Sequence, residues 1–247
     1  MPNPYESPRL VDEYLFFHYA NFEENSGGLP LPREAWGFAT RVVRELWPGT
    51  GEVDSALDVG CAVGASSFEL ARRARCVTGV DFSKAFIDAA RTLRGCGKMT
   101  SKVVEEGWRL REFEARVPQG IARERVDFQT GDATDLPEDL EGFDVVLAAN
   151  LICRLPDPLA FLSRLPRLVK SGGFLLLATP FSWLEEFTPP DHWLGGKPES
   201  APGFEVLSRI LEPHFECEST KDLPFLIREH SRKFQYGISL GSRWRRR

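Results

Sequence analysis

The sequence predicts an α/β fold: a parallel sheet with helices packed on both faces. Short apolar runs recur at 55–59, 77–81, 125–133, 143–152 and 174–180, and stretches with helical spacing separate them. That alternation is the signature of strands joined by crossover helices. The runs are also nearly continuous in apolar character, as strands covered on both sides must be.

The bulk numbers bound the answer. A chain of 247 residues suits one large domain, or a domain with a cap, and the reading here is a single domain over 1–247. Its parts are an N-terminal lid at 1–34, a cofactor-binding core at 50–180, and substrate-lining loops with C-terminal strands at 181–247. Hydrophobic residues make up 42% and charged residues 27%, the balance of a soluble globular protein. A net charge of −5 argues against general nucleic-acid binding, and the basic end Arg243-Trp244-Arg245-Arg246-Arg247 is expected to be a solvated strand end. No charged start followed by an apolar run marks a signal peptide, and no run reaches the roughly 18 apolar residues of a membrane span. The five cysteines, Cys61, Cys76, Cys96, Cys153 and Cys217, are scattered and none form Cys-x-x-Cys. A reducing cytoplasm is therefore expected, without disulfides, and no metal site is expected either.

In chain order, Asn3-Pro4-Tyr5-Glu6-Ser7-Pro8 should be extended or turn-like, because proline disfavours helix in the residue before it. Residues 9–19 have helical spacing and a dense aromatic face. Tyr14, His18 and Tyr19 add polar tips, so the segment is either a lid over a small-molecule site or a helix packed on the core. Gly27-Gly28 marks a flexible link, and 33–46 reads as a helix stopped by Pro48-Gly49. The strand at 55–59 is followed by a helix at about 65–75. The strand at 77–81 is followed by a helix at 84–93 capped by Ser83. Residues 95–125 are long for a connection. The spacing of Val103, Val104, Trp108, Arg109 and Phe113 predicts a helix there, in an insertion near the site or a protein-contact surface. A helix at 158–170 is interrupted or bent at Pro166 and ended by Ser171-Gly172-Gly173.

The chemistry gathers at the carboxyl ends of the strands, where open α/β sheets bind ligands. Asp58-Val59-Gly60-Cys61-Ala62-Val63-Gly64 is a tight turn opening a helix, so Gly60, Cys61, Ala62 and Gly64 can lie against a ligand by backbone. About 20 residues on, Asp81 can accept from a ribose diol, with Phe82 beside it. Asp132 and Ala133 end the third strand; Asn150 and Leu151 end the fourth. A nicotinamide site would want Gly-x-Gly-x-x-Gly, from which this turn departs.

The turn, the spaced acid and the two later strand ends resemble class I S-adenosylmethionine-dependent methyltransferases over residues 50–180, with Ala62 where a middle glycine is common. That resemblance implies a seven-stranded, mostly parallel sheet and S-adenosylmethionine as cofactor. Asp58 and the first turn would meet its methionine and ribose portion, Asp81 its ribose, Phe82 and Ala133 its adenine, and Asp132 the adenine amino group. Asn150 and Leu151 would line the path to the transferred methyl.

A narrower resemblance covers nearly the whole chain. Asn3-Pro4-Tyr5-Glu6, Tyr14-Leu15-Phe16-Phe17-His18-Tyr19, Trp183-Leu184-Glu185-Glu186-Phe187-Thr188, Trp193-Leu194-Gly195-Gly196, Pro224-Phe225-Leu226-Ile227-Arg228-Glu229 and Arg232-Lys233-Phe234-Gln235 look like the methyltransferase module of ovothiol biosynthesis. The resemblance implies methylation of the imidazole π-nitrogen of 5-thiohistidine, and functional association with a separate sulfoxide synthase. Histidine, histamine or another small amine is the alternative acceptor. A group holding the ring tautomer would come from Glu185, Glu186, His18 or Tyr19. The acceptor would lie among Tyr14, Asn150, Trp183 and Phe187, its carboxylate on Arg154 or Arg228. The plainer alternatives are a solvated helix start for the glutamates, packing for His18 and surface charge for Arg228.

Overall fold

The computed structural model describes residues 4–49 and 51–247; Asn3 of the N-terminal motif lies outside the described residues. The chain begins with a 3₁₀ turn at Pro4–Glu6, then α1 (Pro8–Tyr19), α2 (Phe22–Asn25) and α3 (Phe38–Leu46). The core follows as β1 (Val53–Val59), α4 (Ala65–Leu70), β2 (Ala74–Asp81) and α5 (Lys84–Cys96). A hairpin, β3 (Lys98–Glu106) and β4 (Arg109–Arg116), precedes β5 (Val126–Thr130), β6 (Phe143–Ala149), α6 (Pro158–Leu168) and β7 (Val169–Thr179). The chain closes with α7 (Gly203–Leu211), β8 (Phe215–His230) and β9 (Lys233–Arg246).

Seven strands form one sheet in the order β5-β2-β1-β6-β7-β9-β8. The first five are parallel; β9 runs antiparallel to both β7 and β8. From β1 the chain steps outward to β2 and β5, then returns to the other side of β1 as β6. That reversal opens a crevice between the tips of β1 and β6, where such sheets take their ligands. One face of the sheet packs on α1, α3, α4 and α5 through Leu15, Phe38, Val42, Phe68 and Ile87. The other packs on α6 and α7 through Phe161, Leu165, Leu207 and Trp244.

Local chemistry explains the element ends. The Ser7 hydroxyl caps α1 and the Ser83 hydroxyl caps α5, accepting from Leu10 N and Phe86 N. The helix expected at 33–46 is split, because Gly37 turns left-handed at φ 65° between a 3₁₀ turn and α3. The helix after the first turn ends at Leu70, and Ala74 already belongs to β2. Ser171-Gly172-Gly173, expected to stop a helix, lies inside β7.

The helix expected within 95–125 is a β-hairpin. Ser101, Val103, Phe113 and Ala115 are its buried residues, alternating with exposed ones, and this period of two overrides the helical spacing read from the sequence. Gly107, at φ 54°, lies in the turn between its strands. The hairpin docks on α1: Phe113 lies 5.0 Å from Phe16, and Ser101 Oγ donates to Asp12.

Candidate active site

The first turn is built on a buried carboxylate. Asp58 is 1% exposed and accepts from the hydroxyls of Ser66 and Ser67 at 2.7 and 2.6 Å. It thus ties the end of β1 to the start of α4 beneath the turn. The sequence reading set it against the ligand; the partners of its Oδ2 are these two serines, which the spacing did not foretell. Burial pushes its carboxyl up to about 6, against the pull of the two hydroxyls. Above it the backbone is drawn tight. Gly60 N and Cys61 N both donate to Val80 O, and Cys61 is fully buried. Ala62 has a left-handed φ of 47°, which is why glycine suits this position in related turns. A Cβ on Gly60 would lie 2.9 Å from Leu151 Cδ1, so the tips of β1 and β6 meet there. Gly64, at φ 87°, opens α4.

Asp81 ends β2 and is fixed by two backbone donors, Ala62 N at 2.9 Å and Ser83 N at 2.8 Å. Burial raises its carboxyl to about 6, while those two bonds pull it down. Phe82, beside it, is 61% exposed, an open aromatic surface at a strand tip. Gly131 N donates to Asp81 O, bringing the end of β5 alongside. There Asp132 Oδ1 accepts from both the amide and the hydroxyl of Thr134, and Ala133 is buried. Asn150, after β6, is left-handed at φ 54° and accepts at Oδ1 from the Ser239 hydroxyl at 2.6 Å.

The N-terminal segment roofs these tips. Ser83 Oγ donates to Tyr5 O at 2.9 Å, and the Glu6 carboxylate takes the amides of Lys84 and Ala85 at the start of α5. The Tyr5 ring meets Tyr14, Phe86 and Phe187 at centroid distances of 6.0, 5.7 and 5.9 Å. Burial raises the hydroxyls of Tyr5 and Tyr14, the Arg154 cation pulling both down and the Asp81 anion pushing both up. Arg154 donates to the carbonyls of Cys153 and Ser182, and its guanidinium lies 5.2 Å over Phe187. Trp183 stacks on Trp193 at 6.4 Å.

Of the four groups expected to hold a proton, none is placed as a ready base. His18 is 9% exposed, its Nδ1 has no hydrogen-bond partner, and burial lowers its pKa to about 3. It is neutral at pH 7, packed among Tyr14, Phe17 and Tyr19. Tyr19 donates its proton to Val63 O at 2.7 Å, and burial raises its hydroxyl well above the usual range. Glu185 and Glu186 are exposed on the turn closed by Phe187 N to Leu184 O, a correction of their expected place in the pocket. Arg228 is corrected as well. It is buried, bonded to Glu105 on β3 at 2.8 Å and stacked 5.1 Å over Phe16, so its fork is engaged by the hairpin. Tyr5 and Ser239, by contrast, had no assigned role in the sequence reading. Tyr5 stands in one of the quoted motifs, while Ser239 carries no signal until the fold brings β9 beside β7.

Among the described residues, no cluster of three His, Cys, Asp or Glu side chains could hold a metal ion, and no helix is long and apolar enough to cross a membrane.

Residues 57–177 match a family described as "Methyltransferase domain". A ubiquinone biosynthesis O-methyltransferase of Pseudomonas paraeruginosa is 32% identical over 126 residues, covering 51% of this chain and 44% of that one. One from Coxiella burnetii is 28% identical over 123 residues, covering 50% and 42%. The chain therefore spans less than half the length of these curated relatives. Among solved structures, the N-methyltransferase NodS of Bradyrhizobium japonicum, in complex with S-adenosyl-L-homocysteine, aligns with a TM-score of 0.55 at 18% identity, over 96% of this chain and 98% of that one. The YcgJ protein of Bacillus subtilis aligns with a TM-score of 0.55 at 11% identity, over 85% and 97%. At these identities the likeness is one of fold.

Proposed function

We propose that this chain, whose residues 57–177 match a methyltransferase-domain family, is a class I S-adenosylmethionine-dependent methyltransferase that methylates a ring nitrogen of a small imidazole, and specifically the π-nitrogen of 5-thiohistidine. The observation that carries the reading is the roof of Tyr5, Tyr14 and Phe187, with Arg154 over Phe187, closed above the strand tips. It offers a planar, aromatic, singly cationic setting suited to a small aromatic zwitterion. The resemblance in 3–19, 183–196 and 224–235, outside the matched domain, supports the choice of acceptor.

The residues present fit the cofactor. Its ribose diol, with two hydroxyl donors, suits Asp81, whose carboxylate is already oriented by Ala62 N and Ser83 N. Phe82 offers the adenine an exposed ring, and Asp132 keeps Oδ2 for the amino group because Thr134 engages Oδ1. S-adenosylmethionine supplies a methyl group on a sulfonium, whose sulfur keeps the bond pair as the methyl leaves. The protein has to align the nucleophile and exclude water, which can supply roughly 7–11 kcal/mol of the barrier. Tyr5, Tyr14 and Phe187 shut the site, and Arg154 takes the acceptor's carboxylate. His18 stays neutral and does not compete for charge.

The attacking nitrogen arrives with its lone pair free, so no strong base is needed. A hydroxyl acceptor, as in the O-methylation for which the curated relatives are named, must lose its proton as it attacks. With His18 at about 3 and the hydroxyls of Tyr5 and Tyr14 raised, this roof is poorly suited to that task. Mass spectrometry of 5-thiohistidine incubated with protein and S-adenosylmethionine, with the methyl position assigned by NMR, tests the reading. A product carrying one methyl on the π-nitrogen is expected. Faster turnover of histidine or histamine, or methylation of a phenol alone, overturns it.

A further inference from the structure

We infer that Ser239 is a positioning residue for Asn150, and that Asn150 thereby selects acceptors carrying a lone-pair-rich anionic group beside the ring. The inference rests on the methyl-transfer reading above and deepens it.

Ser239 is 0% exposed, at the middle of β9, opposite Leu223 on β8. Its neighbours two residues away are Gly237 and Gly241, over which Phe225 and Leu223 lie so closely that a Cβ would clash. An alanine would fit that strip as well as a serine, and a buried hydroxyl needs a partner. The partner is Asn150 Oδ1, at 2.6 Å. Because β9 pairs with β7 at Thr179–Leu240, and Asn150 N donates to Ala178 O, the contact crosses the end of β7 to the tip of β6. Asn150 is itself held by its left-handed φ of 54°, a conformation asparagine tolerates better than most residues. Backbone and carboxamide are therefore both fixed. The Oδ1 end is the buried one, against a wholly buried serine, while Asn150 as a residue is only partly buried. Its Nδ2, with two N–H donors, is left as the accessible end, at the tip of β6 where that strand adjoins β1.

The chemistry narrows what those donors can hold. In the reactive tautomer one ring nitrogen keeps its lone pair for the methyl carbon and the other carries a proton. Neither can accept from Nδ2 without stopping the reaction. What remains is an anionic substituent, a thiolate or a carboxylate.

The test is a double-mutant cycle on acceptor kinetics, with S-adenosylhomocysteine affinity measured by calorimetry. Ser239→Ala should lower kcat/KM for 5-thiohistidine roughly tenfold, the loss of one good hydrogen bond, and leave S-adenosylhomocysteine affinity unchanged. Asn150→Gly keeps the left-handed backbone without the amide and should lose more. Adding Ser239→Ala to Asn150→Gly should then cost nothing further. Asn150→Asp keeps the Ser239 contact but removes both donors, and should fall as far as the glycine variant. Histidine and decarboxylated 5-thiohistidine separate the thiolate from the carboxylate: the analogue lacking the bound group is the one insensitive to Ser239→Ala. A Ser239→Ala loss that persists in the Asn150→Gly background, or an Asn150→Asp enzyme as active as the parent, overturns the inference. Should the protein bind S-adenosylhomocysteine and methylate none of these acceptors, the functional reading fails on its own account. The positioning is then read from the Asn150 side-chain amide resonances. They should shift and exchange faster in Ser239→Ala; unchanged resonances overturn it.

Discussion

The phenol of Tyr19 donates to the carbonyl of Val63 at 2.7 Å, fastening the last turn of α1 to the glycine turn between β1 and α4. The far end of the same segment is held at Ser83, Lys84 and Ala85, on the β2 side of the crevice. The roof is thus pinned to the two loops that would carry the nucleoside. Tyr19→Phe keeps the ring and removes the bond, which should cost about 1 kcal/mol. Weaker S-adenosylhomocysteine binding, roughly fivefold by calorimetry, with a small drop in melting temperature, is expected. Parental values for both would show the bond to be idle.

Asp81 joins three strand ends: its carboxylate binds Ala62 N and Ser83 N, and its carbonyl accepts from Gly131 N. Asp81→Ala should weaken cofactor binding by roughly 1.5–3 kcal/mol, the range for hydrogen bonds to a charged group. With the carboxyl raised to about 6, affinity in the parent should also fall as pH drops below that value. Calorimetry from pH 5 to 8 reads both; an affinity flat across that range removes the carboxylate from the ribose.

His18 makes stability pH-dependent in a definite direction. Unfolded, it binds a proton below about 6.5; folded, burial holds its pKa to about 3. Between those values the unfolded chain binds more protons, so this residue's contribution favours folding at high pH and is lost on acidification. Down to pH 5 the loss is about 2 kcal/mol. Asp58 and Asp81 act oppositely, since their raised carboxyls favour the folded chain as pH falls from about 6 toward 3.8. Comparing denaturant unfolding of His18→Phe with the parent at pH 7 and pH 5 isolates the histidine. The substitution should be relatively more stabilising at pH 5, and equal effects at the two values would refute the assignment.

The sequence carried the parallel sheet, the crevice and the strand-end residues because those depend on short local patterns: an apolar run, an acid, a glycine turn. Ser83 as a cap and Asp81 as the second acid were legible for the same reason. The hairpin at 98–116 was not, since Val103, Val104, Trp108 and Phe113 fit a helical face nearly as well as alternate strand positions. Only packing on Phe16 and Asp12 decides between them. Arg228 misled because an arginine in a motif does not reveal its ion partner, and Glu105 lies 123 residues away in sequence. Ser239 was invisible for the same reason, its partner lying 89 residues back.

Those corrections separate two arginines. Arg228→Met removes a buried guanidinium from Glu105 and Phe16 and should lower stability by about 2 kcal/mol, less than a fully buried pair because Glu105 is partly exposed. Its acceptor KM should stay near parental, as should those of Glu185→Gln and Glu186→Gln, whose side chains are exposed. Arg154→Ala should do the reverse, raising acceptor KM with little change in cofactor affinity. Steady-state kinetics beside thermal melts checks all four, and an Arg228→Met enzyme with normal stability but a raised KM would return that residue to the pocket.

Gly64 and Phe128 give the sharpest test of how the turn is held. Gly64 has φ 87°, and a Cβ there would lie 2.6 Å from Phe128 Cζ. The ring belongs to β5, packs edge-on against Phe68 at 5.5 Å, and also overlies Gly79. Gly64→Ala therefore meets two separate penalties, a left-handed backbone of about 1–2 kcal/mol and crowding of about 1–3 kcal/mol. Only the second depends on Phe128. In a Phe128→Leu background, where the ring is gone, Gly64→Ala should cost about 1–2 kcal/mol less than in the parent. Urea unfolding of the four proteins measures that coupling. Strict additivity would mean that the left-handed backbone alone reserves this position for glycine, and that the end of β5 plays no part in shaping the turn.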